Sequence, residues 1–89
     1  MDYWKLLNRA IEKFGATEQE NLAIEECSEL IQAISHKHRG REHNIAEEIA
    51  DVEIMLDQLR IINDCFYEVA NIKEIKLERL EERLRGESV

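Results

Sequence analysis

The sequence predicts an all-α protein, folded as a four-helix bundle that self-associates. It contains no proline, and its three glycines (Gly15, Gly40 and Gly86) fall where helical patterns stop, as C-terminal helix caps do. Apolar residues recur three and four positions apart along most of the chain, which is the period of amphipathic helices. The 89 residues form one domain, 1–89. A core this small is marginal for a lone chain, so we expect a homo-oligomer, either a dimer or a pair of dimers.

Four helices follow in order from these patterns. The first is predicted over residues 2–14. A capping box that starts at Thr17 opens the second, which runs to about residue 38. Asn44 is the predicted N-cap of the third helix, which ends near residue 62. After a break at residues 63–64, a fourth helix covers residues 65–85.

Charge and composition exclude several classes of partner. The chain has 12 basic and 20 acidic residues, a net charge of −8, whereas duplex DNA and anionic membranes need a positive surface. No run of apolar residues approaches membrane-spanning length. Cys27 and Cys65 have no paired spacing, and we interpret them as reduced, mostly buried thiols. We therefore expect a cytoplasmic protein without a nucleic-acid or membrane partner.

Two short acidic signatures organise the chain, Glu-Glu-Cys-Ser-Glu at 25–29 and Glu-Glu-Ile-Ala-Asp at 47–51. Acids three apart share one face of a helix. The predicted apolar stripe of the second helix is Leu22, Cys27, Leu30, Ile31 and Ile34; that of the third is Ile45, Ile49, Val52, Met55, Leu56, Leu59 and Ile62. Four acids lie in or beside these stripes: Glu26, Glu29, Glu48 and Asp51.

Inward carboxylates need a compensating charge. An ionised carboxylate buried without a partner is very costly, so four of them in one place indicate a divalent metal ion. The alternative is a core acid held in a salt bridge. Glu78 and Glu81 show the ordinary case, because they face outward beside Arg79 and Arg83. Glu48 differs, since it falls inside an apolar stripe.

The remaining features are basic or apolar. Lys73 and Lys76 lie within the apolar stripe of the fourth helix (Phe66, Val69, Ile72, Leu77, Leu80 and Leu84). Either their stems are buried with the ammonium groups in solvent, or they reach bound phosphates. The loop 36–43, with three histidines, lacks the regular spacing of a metal site; it is either a basic rim that attracts phosphates or only a connecting loop. A second apolar strip on the third helix, of Ala50, Ile54 and Ile61, is a further reason to expect self-association.

The two signatures, their order and their separation resemble those of the MazG-like all-α nucleoside triphosphate pyrophosphohydrolases, whose relatives include dimeric dUTPases and phosphoribosyl-ATP pyrophosphohydrolase. The resemblance covers about residues 22–59 and, more weakly, 76–80. It implies Mg²⁺ (with Mn²⁺ as substitute) bound by Glu26, Glu29, Glu48 and Asp51. It also implies cleavage of a nucleotide between its α and β phosphates. Mg²⁺ takes oxygen ligands shared between carboxylates and phosphates. Glu29 or Glu48 is the expected base for the attacking water, and Lys73 and Lys76 the expected phosphate ligands.

Two other functions stay open. One is a pyrophosphohydrolase of the same superfamily that acts on a phosphoribosyl or modified nucleotide. The other is a non-catalytic helical oligomerisation or adaptor module with acidic faces, which would show no specific metal effect. A DNA-binding helix-turn-helix is disfavoured by the net charge.

Overall fold

The computed structural model describes residues 1–87, and its regular structure is entirely helical within that range. The helices are α1 (Tyr3–Phe14), α2 (Ala16–His38), α3 (Ile45–Ile62) and α4 (Phe66–Glu87). The prediction of an all-α protein is confirmed. None of the helices in this part of the chain combines the length and the apolar character that crossing a bilayer requires.

The glycines explain two of the three turns that divide the helices. Gly15, with φ +94°, ends α1 and is also the N-cap of α2. The predicted capping box is therefore wrong, because Thr17 already lies inside α2. Gly40 adopts φ +70° in the turn after α2, a conformation that costs glycine little. Gly86 is no cap within the described residues, since α4 continues through it. Asp64, with φ +47°, forms the α3–α4 turn at the predicted break.

An antiparallel hairpin of α2 and α3 forms the centre of the molecule. Near its closed end, Glu29 of α2 faces Glu48 of α3. Towards its open end, the Gln19 side chain donates a hydrogen bond to Gln58 Oε1 at 2.6 Å, and both side chains are buried. Small or flexible apolar residues fill the positions between (Ala23, Val52 and Met55), and Ala33 is buried on the loop side of Glu29. This pairing fixes the register of the two helices.

The face that α2 buries is not the predicted one. Gln19, Ala23 and Ala33 are its buried residues, whereas most of the large apolar residues of the predicted stripe are exposed: Leu22, Cys27, Ile31 and Ile34. Alanine side chains let two helix axes approach closely, and the close approach buries whatever lies beside them. The larger apolar face of α2 points away from its own core.

Helix α1 packs on both α2 and α3, with one buried apolar residue and one polar contact to α3. Leu7 is buried, and the Tyr3 hydroxyl donates a hydrogen bond to Asp57 Oδ2 at 2.5 Å. Asp57 also forms an ion pair with Arg60 at 2.9 Å. The hydrogen bond to Asp57 is the main reason that the pKa of Tyr3 rises to about 12, and burial adds to it. Three helices thus form one packed unit.

Helix α4 packs only at its beginning. The Phe66 ring lies 5.3 Å from the Trp4 ring, edge to face. From residue 70 to residue 86 every side chain is exposed. The radius of gyration is 16.5 Å, against about 12 Å for a compact domain of this length. Within one chain, α4 therefore extends away from the α1–α3 unit instead of completing a bundle along its length.

The buried glutamine pair gives a test of the hairpin register. We expect Gln19→Ala to lower the free energy of unfolding by about 1–3 kcal/mol, because the Gln58 amide is left buried without its partner. The double variant Gln19→Leu/Gln58→Leu should lose much less, since it removes both polar groups together. Denaturant unfolding measures both. Gln32→Ala, at an exposed position on the same helix, is the control and should change little.

Candidate metal centre

Three acidic side chains from the two hairpin helices converge on one point. One carboxylate oxygen from each of Glu26, Glu29 and Glu48 lies within 4.8 Å of the other two. Asp51 adjoins the group, because its carboxyl is among the neighbours that raise the pKa of Glu26. All four acids that the sequence singles out are therefore neighbours. We call them the acidic cluster.

Burial differs strongly across the acidic cluster. Glu48, in the first turn of α3, is only 4 % exposed. Glu26 and Asp51 are half-buried, and Glu29 is exposed. The cluster therefore has a buried floor at Glu48 and an open rim at Glu29. Such an arrangement leaves a solvent-facing side through which a ligand can approach.

Two oxygens of the acidic cluster have no partner. Glu48 Oε1 accepts a hydrogen bond from the Asn44 side-chain amide at 2.8 Å. Glu48 Oε2 and Glu26 Oε2 are buried and accept no hydrogen bond from any residue that the structure describes. Nor does any basic side chain within residues 1–87 form a salt bridge with either acid. A buried carboxylate oxygen without a donor is costly, and a bound cation would satisfy both.

Burial and mutual repulsion raise the pKa values of the inner acids. The pKa of Glu26 rises from 4.5 to about 7, first because of burial, then through the contact with Asp51 and the nearby charges of Glu29 and Glu48. The pKa of Glu48 is also raised, by burial first and then by the charge of Glu29, while the hydrogen bond from Asn44 opposes the rise. Glu26 and Glu48 therefore hold protons more tightly than ordinary carboxyls do.

The donor set fits a hard divalent cation. It consists of carboxylate oxygens, the ligands that Mg²⁺ and Mn²⁺ prefer. Neither cysteine nor histidine belongs to the group that converges here, so a zinc-type site is not what these residues provide. A divalent ion would also relieve the repulsion that raises the pKa values.

The basic loop lies at the same end of the hairpin as the acidic cluster. Residues 39–44 join α2 to α3, and Glu48 lies one turn after Asn44. Arg39 and Arg41 are exposed, and among the described residues neither forms a salt bridge. These two guanidinium groups are therefore available to an anion that approaches the open rim.

The two predicted phosphate-binding lysines lie elsewhere in the chain. Lys73 borders a groove that includes Asp57 and Arg60, two to three turns of α3 beyond Asp51. Lys76 lies one turn further along α4, and both side chains are exposed. In residues 1–87, neither lysine forms a salt bridge with the acidic cluster.

Asn44 is the residue of this site that the sequence pattern did not reveal. It is the N-cap of α3, as predicted, but its side chain makes no capping hydrogen bond. The side-chain amide binds Glu48 instead. Neighbouring groups that orient a metal ligand commonly do so through such a bond. The available signal was an asparagine placed four residues before an inward-facing glutamate, so that both lie on one face of the first turn.

The raised pKa of Glu26 predicts how the stability of the metal-free protein depends on pH. Between about 4.5 and about 7 the folded state holds a proton that the unfolded state has lost, so the free energy of unfolding should fall as pH rises through that interval. Denaturant unfolding with EDTA across the interval measures this. Glu26→Gln should flatten the profile, and Glu25→Gln, at an exposed neighbouring position, should leave it unchanged. An identical profile for wild type and Glu26→Gln would contradict the assignment.

Comparisons of the chain with protein-family models, with curated proteins and with solved structures gave no match.

Proposed function

We propose that this protein is a cytoplasmic, Mg²⁺-dependent nucleotide pyrophosphohydrolase of the MazG-like type, active as a homo-oligomer. Its reaction would be hydrolysis of a (deoxy)nucleoside triphosphate between the α and β phosphates, to give the monophosphate and pyrophosphate. The paired acidic signatures at 25–29 and 47–51 motivate the proposal, together with the convergence of their side chains.

One observation carries the proposal more than any other. Glu48 is buried, and its Oε2 atom has neither a hydrogen-bond donor nor a basic partner within residues 1–87. A structural acid would have such a partner, because an unpaired buried carboxylate destabilises the fold. A site that is completed by a cation accounts for the arrangement. The oxygen-only donors favour Mg²⁺ or Mn²⁺.

The residues of the acidic cluster would divide the work by their burial. Glu26, Glu48 and Asp51 are the inner ligands, held between the two helices, and Glu29 completes the set at the rim. When bound, Mg²⁺ supplies neutralisation of the polyphosphate charge and polarisation of the phosphorus–oxygen bonds. Glu29, the exposed acid, is the better placed of the two candidate bases to take a proton from water at the open side; Glu48 is the other.

Phosphate groups would be held by basic residues around the acidic cluster. Arg39 and Arg41 lie in the loop at the same end of the hairpin, and arginine binds phosphate oxygens in pairs. Lys73 and Lys76 remain in the proposal as phosphate ligands. Because α4 leaves the α1–α3 unit of its own chain, these lysines would have to reach a phosphate from a second copy.

Self-association belongs to the proposal because one chain leaves much apolar surface uncovered. Ala50 and Ile54, in the second apolar strip of α3, are exposed, and Ile61 is half-buried. Large apolar residues on α2 and α4 are exposed as well. Contiguous apolar surface of this kind marks an interaction site.

The extended α4 favours a second candidate, a non-catalytic helical oligomerisation module. In that case the acidic cluster would have no specific affinity for Mg²⁺, and Glu48 could be replaced by leucine without functional loss. The unpartnered oxygens of Glu26 and Glu48 speak against it. Measurements of nucleotide turnover and of Mg²⁺ binding separate the two candidates.

We expect pyrophosphate to be released from at least one member of a panel of ribo-, deoxyribo- and phosphoribosyl nucleotides, with Mg²⁺ or Mn²⁺ present. Glu48→Gln should abolish turnover, because it removes the buried charge that a cation needs. Glu47→Gln, at the exposed neighbouring position, should retain it. Release of orthophosphate, or no product from the whole panel, would rule out the proposed reaction.

The same pair of variants separates a metal site from a structural acid without any substrate. Mg²⁺ should raise the melting temperature of wild type and Glu47→Gln in proportion to the logarithm of its concentration once saturation begins. Glu48→Gln should lose this shift. In EDTA it should be at least as stable as wild type, since one repelling charge is gone. A Glu48→Gln protein that is strongly destabilised in EDTA yet keeps the full shift would overturn the metal site.

Asn44 should act as a positioning residue for Glu48. Asn44→Ser keeps a residue that is favoured at helix N-caps but removes the amide that holds Glu48 Oε1. We expect Mg²⁺ affinity to fall by roughly 10–100-fold, the usual effect of losing a group that orients a metal ligand. Calorimetric titration with Mg²⁺ measures this directly. Asn63→Ser, at the exposed C-cap of the same helix, is the matched control. Equal affinities for Asn44→Ser and Asn63→Ser would show that Asn44 is only a cap.

A further inference from the structure

The far part of α4 carries a row of exposed leucines, Leu77, Leu80 and Leu84, which we call the leucine stripe. Their side chains are 58 %, 46 % and 58 % exposed. The stripe continues the face through which α4 begins on its own core, where Phe66 contacts Trp4. One apolar face of α4 thus contacts the α1–α3 unit at Phe66 and is exposed further along the helix, at the leucine stripe.

A helix in this situation lacks support of its own. From residue 70 onwards the described side chains of α4 are all exposed, so the α1–α3 unit contributes little packing to them. In proteins most helical stability comes from packing of an apolar face and not from helix propensity. A row of exposed leucines on a well-formed helix therefore indicates a partner surface.

The spacing of the row is that of a coiled coil. Ala70, Lys73, Leu77, Leu80 and Leu84 follow one another at intervals of three, four, three and four residues. This alternation places them at the a and d positions of a heptad repeat, with Leu77 and Leu84 at a and Leu80 at d. Lys73 is the polar member of the seam, and its aliphatic stem can pack there while the ammonium group reaches solvent.

Opposite charges flank the leucine stripe on its two sides. Glu74 and Glu81 occupy the e positions on one side, and Lys76 and Arg83 occupy the g positions on the other. In a parallel pair, a g residue faces an e residue of the second helix five positions further on, which brings Lys76 opposite Glu81 of the second copy. In an antiparallel pair e positions face e positions and g positions face g positions, so acids would face acids and basic residues would face basic residues, and both flanks would repel. The charges therefore favour a second copy of α4, aligned parallel to the first.

We propose that the leucine stripe pairs with the leucine stripe of a second copy of this chain, with the two α4 helices parallel. This inference rests on the self-association part of the proposed function and on none of its metal or hydrolase chemistry. It engages Lys73 and Lys76 in the pairing of α4, so phosphate binding in the proposed function then falls to Arg39 and Arg41. Glu81 already contacts Arg85 in its own helix at 3.3 Å, but both side chains are about 70 % exposed. An ion pair so exposed contributes little, and it leaves the Glu81 carboxylate accessible to Lys76 of the second copy.

Cysteine cross-linking tests the parallel pairing in the full-length chain. In a background with Cys27→Ser and Cys65→Ser, we introduce either Leu77→Cys or Leu84→Cys and oxidise the protein. A parallel pair brings each a position next to the same position of the second copy, so both variants should form covalent dimers in high yield. Ile75→Cys, on the opposite side of α4, is the control and should not. The substituted side chains are about half exposed, so folding of the α1–α3 unit does not depend on them.

Each outcome decides the proposal. An antiparallel pair can bring only one of two positions about 10 Å apart onto its symmetry axis, so cross-linking at only one of Leu77→Cys and Leu84→Cys overturns the parallel arrangement. A dimer that cross-links at neither position also overturns the parallel pairing, because it shows that the second copy uses another surface or that the two stripes pair antiparallel with Leu77 opposite Leu84. A monomeric wild type overturns self-association altogether. Pyrophosphate release is scored separately and can succeed in any of these cases.

Light scattering at micromolar concentration gives an independent measurement. Wild type should be at least dimeric, and Leu80→Glu should shift the population to monomer, because it places two like charges in the seam. Ile75→Glu adds the same charge on the other side of the helix and should keep the wild-type mass. Equal masses for Leu80→Glu and Ile75→Glu would contradict the pairing. Circular dichroism confirms that both variants remain helical.

Discussion

The constraint on which this molecule depends is the burial of polar side chains between two closely packed helices. Where α2 and α3 meet, alanines allow a close approach, and the residues beside them are enclosed whether or not they are apolar. Gln19 and Gln58 satisfy each other. Glu26 and Glu48 do not, and each keeps one buried oxygen without a donor. The buried polar groups of the hairpin are thus paired by a hydrogen bond at its open end, whereas the buried carboxylates nearer the loop lack a compensating partner.

That asymmetry links stability with the proposed function. In the absence of a cation, Glu26 and Glu48 lessen the repulsion by holding protons, as their raised pKa values indicate. A divalent ion would replace those protons and contribute its binding energy to the folded state. The fold supplies a further requirement, since Asn44 holds one oxygen of Glu48, and the basic loop leads directly into the first turn of α3, where Glu48 lies.

A single chain has the site residues of the acidic cluster but lacks a complete hydrophobic enclosure. Its first three helices pack around a few small residues, and the fourth leaves that unit after its first turn. The exposed apolar faces of α2, α3 and α4 all point outward from the same small core. For a chain of this size, association with a second copy is an effective way to bury such surface. It would also place Lys73 and Lys76 within a larger assembly.

The sequence by itself determined the helices and three of the four acids expected to face inward, because Glu29 is exposed. The absence of proline and the positions of Gly15 and Gly40 are local signals, and local signals set where helices end. The position of Glu48 inside an apolar stripe foretold its burial, because periodicity within one helix tells which residues share a face. Only the tertiary structure decided which face of α2 is buried, that Asn44 turns to Glu48, and that α4 departs from the core. These features depend on how closely two helices approach and on which donors then come within reach. The pattern within one helix does not determine the distance between two helices, because that distance depends on side chains from both helices, which are far apart in the chain.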